Sequence, residues 1–122
     1  MCIYALDMNA GESRTSAIEN AMTVLADPIF RALSEPSRLA VLQRVLQIGR
    51  ADIAEIASAL PQERSVVSRH LQALHDAGIL RAERVSRQVF YQVDGPAVVT
   101  RLEQILQQVK AIAPYCCSTN TP

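Results

Sequence analysis

The sequence predicts a mainly α-helical domain carrying one small β-hairpin, and three observations predict it. Apolar residues recur at i, i+3, i+4 and i+7 along most of the 122-residue chain. Helix-stopping residues stand where those stripes end, at Gly49, Gly78 and Pro114. One stretch alone, residues 80–93, turns β-rich, with Val89, Tyr91 and Val93 alternating beyond a Ser86-Arg87 turn.

The composition fits one such domain. Hydrophobic residues make up 49% of the chain, aromatics 4%, and Trp is absent, so the core must be aliphatic. A domain this small buries modest area, and association with a second copy would add stability. Formal net charge is zero, which excludes the basic bulk of a nonspecific nucleic-acid packager but not a locally charged face. No run of 18 apolar residues and no charged-then-apolar leader is visible, so a membrane span and a secretory signal are not expected and a cytoplasmic location is. Cys2, Cys116 and Cys117 are then expected as thiols rather than a disulfide framework.

In order, residues 1–12 form a flexible N-terminal segment, broken by Gly11. Residues 13–26 form a helix with Ile18, Met22 and Leu25 on one face. Asp27-Pro28 opens a short helical piece, and Ser34-Glu35-Pro36-Ser37 marks the next boundary. The following helix carries Leu39, Leu42, Val45 and Leu46 on one stripe and stops at Gly49. Residues 51–60 read as a short helix through Ile53, Ile56, Ala57 and Leu60. After the Pro61-Gln62-Glu63 turn, a helix over residues 64–77 buries Val67, Leu71 and Leu74. Strands over 80–85 and 88–93 follow. Gly95-Pro96 opens a last helix, to about residue 113, with Val98, Leu102, Ile105, Leu106, Val109 and Ile112 as its stripe. Pro114 ends it, leaving a cysteine-containing tail over 114–122 and a principal domain over 13–113.

Two short helices joined by a tight turn and followed by a hairpin make a winged helix-turn-helix. Its second helix can enter a DNA major groove while the first packs behind it. The polar face of that helix carries Arg64, Ser65, Ser68, Arg69 and Gln72. Ser65, Ser68 and Arg69 share one side by their spacing. Serine hydroxyls can bond phosphates or base edges, and Arg64 and Arg69 can reach guanine or phosphate. Arg87, at the hairpin tip, suits the phosphate backbone or the minor groove. Between Gln62 and Tyr91 five arginines face Glu63, Asp76 and Glu83, a net of +2. The DNA-binding candidates are therefore Arg64, Ser65, Ser68, Arg69 and Arg87; the competing reading is a solvated face on a protein-interaction domain. His70 and His75 are five apart, so they read as packing or surface residues rather than a helical zinc pair. No nucleophile–base pair and no phosphate-cradling Gly loop is present, so the chain is not expected to be an enzyme.

Leu33-Ser34-Glu35-Pro36-Ser37-Arg38-Leu39-Ala40-Val41-Leu42, Val67-Ser68-Arg69-His70-Leu71-Gln72-Ala73-Leu74, Ala77-Gly78-Ile79-Leu80 and Arg87-Gln88-Val89-Phe90-Tyr91 resemble the ArsR/SmtB family over about residues 20–110. The resemblance implies a homodimeric winged-helix repressor that binds double-stranded operator DNA, dimerises through its first and last helices and senses metals, metalloids or redox species. The family's reading-helix positions fall on Arg64, Ser65, Ser68 and Arg69. Arg64 stands where a Gln is common and Ser86 where a wing Gly is common, which leaves the operator sequence open.

The family's sensor sites can be checked residue by residue. A Cys-x-Cys in the helix before the reading helix is replaced here by Asp52-Ile53-Ala54-Glu55, and the His and acidic set of the last helix is replaced by Arg101-Leu102-Glu103-Gln104-Ile105-Leu106-Gln107-Gln108. Cys116 and Cys117 remain, with Cys2 at the other chain end as a possible third sulfur. Thiolates select soft ions. The expected inducer is trivalent arsenic, as arsenite or a methylated arsenical, or its congener antimony. Cadmium, lead or persulfide and oxidants acting on the same thiols are the alternatives.

Overall fold

A computed structural model describes residues 13–116. The elements run α1 (Arg14–Leu25), α2 (Pro28–Leu33), α3 (Pro36–Ile48), β1 (Arg50–Asp52), α4 (Ile53–Ala57), α5 (Arg64–Asp76), β2 (Leu80–Val85), β3 (Gln88–Val93) and α6 (Gly95–Cys116). They fall into two compact units, residues 27–99 and residues 13–26 with 100–116.

In the unit over residues 27–99, local chemistry sets each boundary. The Asp27 carboxylate accepts from the Ile29 N–H at 2.9 Å and caps α2, whose first residue is Pro28. Pro36 starts α3, and Gly49 ends it at φ 94°, a left-handed value that favours glycine. Asp52 and Glu55 form a reciprocal capping box at the start of α4. Gly78, at φ 82°, ends the turn after α5. The enclosed core is aliphatic, as the composition requires: Ile29, Val41, Val45, Ile56, Val67, Leu71 and Leu74 are fully buried. Each such side chain contributes about 1.5–3 kcal/mol.

The sheet has three antiparallel strands in the order β1-β3-β2. Tyr91 sits centrally, opposite Ala51 on β1 and Ala82 on β2. The β2–β3 turn is the expected Ser86-Arg87 pair, and Ser86 adopts φ 59°. The architecture is that of a winged helix-turn-helix, with α4 and α5 as the helix pair and the β2–β3 hairpin as the wing.

Several boundaries and faces differ from expectation. Residues 51–60 are not one helix: Arg50–Asp52 pairs with β3, and α4 covers only Ile53–Ala57. The Asp52 cap is the physical reason, since it fixes the helix start beyond the strand. In α3, Val45 of the expected stripe is buried and Val41 joins it, while Leu39 and Leu46 of that stripe are exposed. The alternation expected in β3 is absent, because Val89 to Val93 are all half-buried.

In the unit formed by residues 13–26 and 100–116, Ser13 caps α1 by accepting from the Ser16 N–H. Ala17 and Ala21 are buried, and Ile18, Met22 and Leu25, which share one face, are exposed. On α6, Ile105 is buried while Leu102 and Leu106 are exposed. Pro114 does not end α6, which continues to Cys116. A proline so close to a helix end removes only one hydrogen bond, that to the Lys110 carbonyl. The last turn is held otherwise: the Arg14 guanidinium donates to the Tyr115 carbonyl at 3.2 Å and lies 5.3 Å from the centre of its ring.

Candidate nucleic-acid interface

Helix α5 is amphipathic. Val67, His70, Leu71 and Leu74 are buried, and Arg64, Ser65, Ser68, Arg69 and Gln72 are exposed. The 3.6-residue period divides the exposed residues further. Arg64 and Ser68, four apart, face the wing. Together with Asp52, Ile53, Arg87, Gln88 and Tyr91 they line a groove of about 370 Å³. Ser65 and Arg69 form the next exposed row, one residue further round. Three of the five expected DNA contacts thus surround one concavity, and the other two stand beside it on the same helix.

Two arginines and one carboxylate, that of Asp52, line the groove. Arg64 and Arg87 are exposed arginines from two separate elements, and both line the groove. Arg81 and Arg84 are also exposed, on β2. Arg50 is engaged differently: it pairs with Glu83 at 3.6 Å and lies 4.3 Å over the Phe90 ring, bracing β1 against the hairpin.

Wing placement depends on a residue the sequence reading left out of the site. One Asp52 oxygen caps α4 by accepting from the Glu55 N–H at 2.9 Å, and the other accepts from the Gln88 side-chain amide at 3.0 Å. Asp52 therefore connects helix start and wing. The capping-box spacing Asp52-x-x-Glu55 was the available signal. Of the two histidines, His70 is buried and His75 exposed, so neither reading made of them is displaced.

Among the described residues no group of three or more His, Cys, Asp or Glu is placed to hold a metal ion. Cys116 is a free, exposed thiol whose Sγ donates to the Ile112 carbonyl at 3.5 Å. Cys2 and Cys117 lie outside the described residues. No helix among the described residues is long and apolar enough to cross a membrane.

Residues 35–82 match the family model described as bacterial regulatory protein, arsR family. The chain is 35% identical over 91 residues to a probable mercury resistance operon repressor of Streptomyces lividans, spanning 73% of this chain and 72% of that one. Among solved structures, an antimony-specific transcriptional repressor superposes with TM-score 0.53 at 29% identity, covering 84% of this chain and 89% of the other. A homodimeric winged helix-turn-helix DNA-binding domain from Mycobacterium bovis, described as a possible ArsR-family regulator, superposes with TM-score 0.54 at 28% identity, covering 80% and 89%.

Proposed function

Since the chain belongs to the ArsR family of DNA-binding transcriptional regulators, rather than to any enzyme class, we propose that it is a homodimeric cytoplasmic repressor released from its operator by a trivalent arsenical or antimonial bound at cysteine thiolates. The observation that carries the DNA reading is the groove in which Arg64 and Ser68 of α5 meet Arg87 of the wing, with Ser65 and Arg69 exposed alongside. Ser65, Ser68 and Arg69 read base edges, and Arg64 and Arg87 hold phosphates.

Two features support a dimer. Large apolar side chains stand exposed on α1 (Ile18, Met22, Leu25) and on α6 (Leu102, Leu106), and a solved relative is homodimeric. Two copies present two reading helices, matching a two-fold operator.

The sensor assignment rests on donor chemistry. Cys116 offers a soft, exposed sulfur, and Cys117 follows it in sequence. Successive residues on a regular helix diverge by about 100°, so a shared ion requires a non-helical step between the two cysteines and Cys116 to give up its bond to the Ile112 carbonyl. Cys2 supplies a third sulfur for inorganic arsenite or antimonite, whereas a monomethylated arsenical needs two. A relative named for mercury and one named for antimony are consistent with a soft, thiophilic effector. Ligand and DNA then oppose one another through a reciprocal coupling of roughly 1–3 kcal/mol.

A mobility-shift titration with the region upstream of the gene, against a scrambled duplex, tests the DNA reading. A sequence-preferring shift that weakens with salt is expected, and equal binding to both duplexes would remove it. A release assay with arsenite, methylarsenite, antimonite, cadmium, lead, zinc and polysulfide then identifies the effector class.

A further inference from the structure

We infer that His70 is the positioning residue that sets the rotation of the reading helix about its own axis, and that operator selectivity depends on it more than general DNA affinity does. This rests on the reading of α5 as the DNA-reading helix.

His70 is 6% exposed and the sole buried polar or charged side chain among the described residues. It closes a ring of polar contacts with the first turn of α3. Arg38 Nε donates to His70 Nδ1 at 3.3 Å. His70 Nε2 lies 3.2 Å from Ser37 Oγ, and Ser37 Oγ donates to Glu35 Oε1 at 2.9 Å. Glu35 Oε2 pairs with the Arg38 guanidinium at 3.1 Å, which completes the circuit. Guanidinium nitrogens only donate, so Nδ1 must be the accepting nitrogen. Nε2 then carries the proton and donates to Ser37, whose own proton is free for Glu35. Every contact in the ring is satisfied by one proton arrangement and no other. Ser37 also binds the chain just before α5, because its carbonyl accepts from the Gln62 side-chain amide at 3.4 Å.

The apolar contacts of α5 cannot do this job alone. Burial of Val67, Leu71 and Leu74 fixes which side faces inward, but it is non-directional. With side-chain tips about 5–6 Å from the helix axis, a rotation of about 20° moves them by about 2 Å. A hydrogen bond tolerates roughly 0.5 Å. The His70 ring is the directional restraint on α5, and a rotation displaces every side chain of the helix, Ser65, Ser68 and Arg69 among them. Phosphate contacts made by long arginines tolerate that displacement; base-edge contacts do not.

The test uses the full chain and two duplexes, the best site that wild type selects from a randomised library and a scrambled duplex of equal length. His70→Leu keeps bulk and removes the ring. The expected result is a loss of about ten-fold in the selected-to-scrambled affinity ratio, with scrambled-duplex affinity and its salt slope unchanged, and partial recovery in His70→Gln. Ser37→Ala, which breaks one leg and spares the core, should lose part of the ratio even where His70→Leu does not fold. Imidazole nitrogen NMR of the DNA-free protein should show Nδ1 unprotonated and Nε2 protonated. An unchanged ratio in folded His70→Leu and Ser37→Ala, or an Nδ1-protonated ring, overturns the positioning role alone. Failure of wild type to enrich any site overturns the DNA reading on which it rests.

Discussion

The Asp52 carboxylate divides its two oxygens between the first turn of α4 and the Gln88 amide on the wing, 2.9 and 3.0 Å away. One side chain thereby ties the start of α4 to the wing, beside the β1–β3 ladder and the Arg50–Glu83 pair. Asp52→Ala is expected to cost about 1 kcal/mol of stability through the lost cap. Asp52→Asn, which keeps a good capping residue, should cost only a few tenths. Gln88→Ala should leave stability nearly unchanged while weakening operator binding. Urea unfolding and DNA titration of the three variants separate cap from tether.

Arg87 stands at the hairpin tip, exposed, and lines the groove. A phosphate contact carries little sequence information. Arg87→Ala is expected to weaken operator and scrambled duplex alike and to lower the slope of log affinity against log salt by about 1. A change confined to the operator would instead make it a base reader, as Arg69→Ala should prove to be.

Ser86 is the one non-glycine residue at positive φ among the described residues. A side chain in that region costs about 1–2 kcal/mol, and the greater freedom that glycine gives the unfolded chain partly offsets the relief of that cost. Ser86→Gly is therefore expected to be neutral or stabilising by up to about 1 kcal/mol. Ser86→Val should destabilise by about 1 kcal/mol or more. Thermal unfolding of both reads the difference.

Met22 and Leu106 are half-exposed, at 52% and 51%, on α1 and α6. In a dimer through these helices, a charge at either position is buried without a partner. Met22→Glu or Leu106→Glu should shift the protein to a monomer in sedimentation and weaken operator binding with it. A dimer that survives both changes would place the interface on another surface.

Cys116→Ser and Cys117→Ser should each abolish release by arsenite while preserving operator affinity, since both lie outside the reading unit. Cys2→Ser should spare the response to methylarsenite and lose that to arsenite if Cys2 is the third sulfur. A normal arsenite response in the Cys116→Ser, Cys117→Ser double variant would move the sensor elsewhere.

The hairpin was legible to the residue, because a two-residue turn between β-rich runs fixes its own register. The reading helix was equally clear, since Val67, Leu71 and Leu74 define an inner face and the polar residues an outer one. β1 was not, because three residues with one buried Ala51 carry no period. In α3, apolar residues lie on both sides, and periodicity alone does not show that Val41 joins Val45 inside while Leu39 and Leu46 face out. The His70 ring was invisible for another reason: its members lie 32 and 33 residues apart, and only the packing of α3 on α5 brings them together.

The strand order β1-β3-β2 leaves β2 as an outer strand, and five of its six residues are exposed. Unpaired backbone along such a strand invites a second molecule to add to the sheet. Arg81, Glu83 and Arg84 set charges of both signs along that edge, and an incoming strand would have to strip them of water. The wing thus carries its own safeguard against aggregation, and the arginines that make it attractive to a polyanion also keep it from joining its own kind.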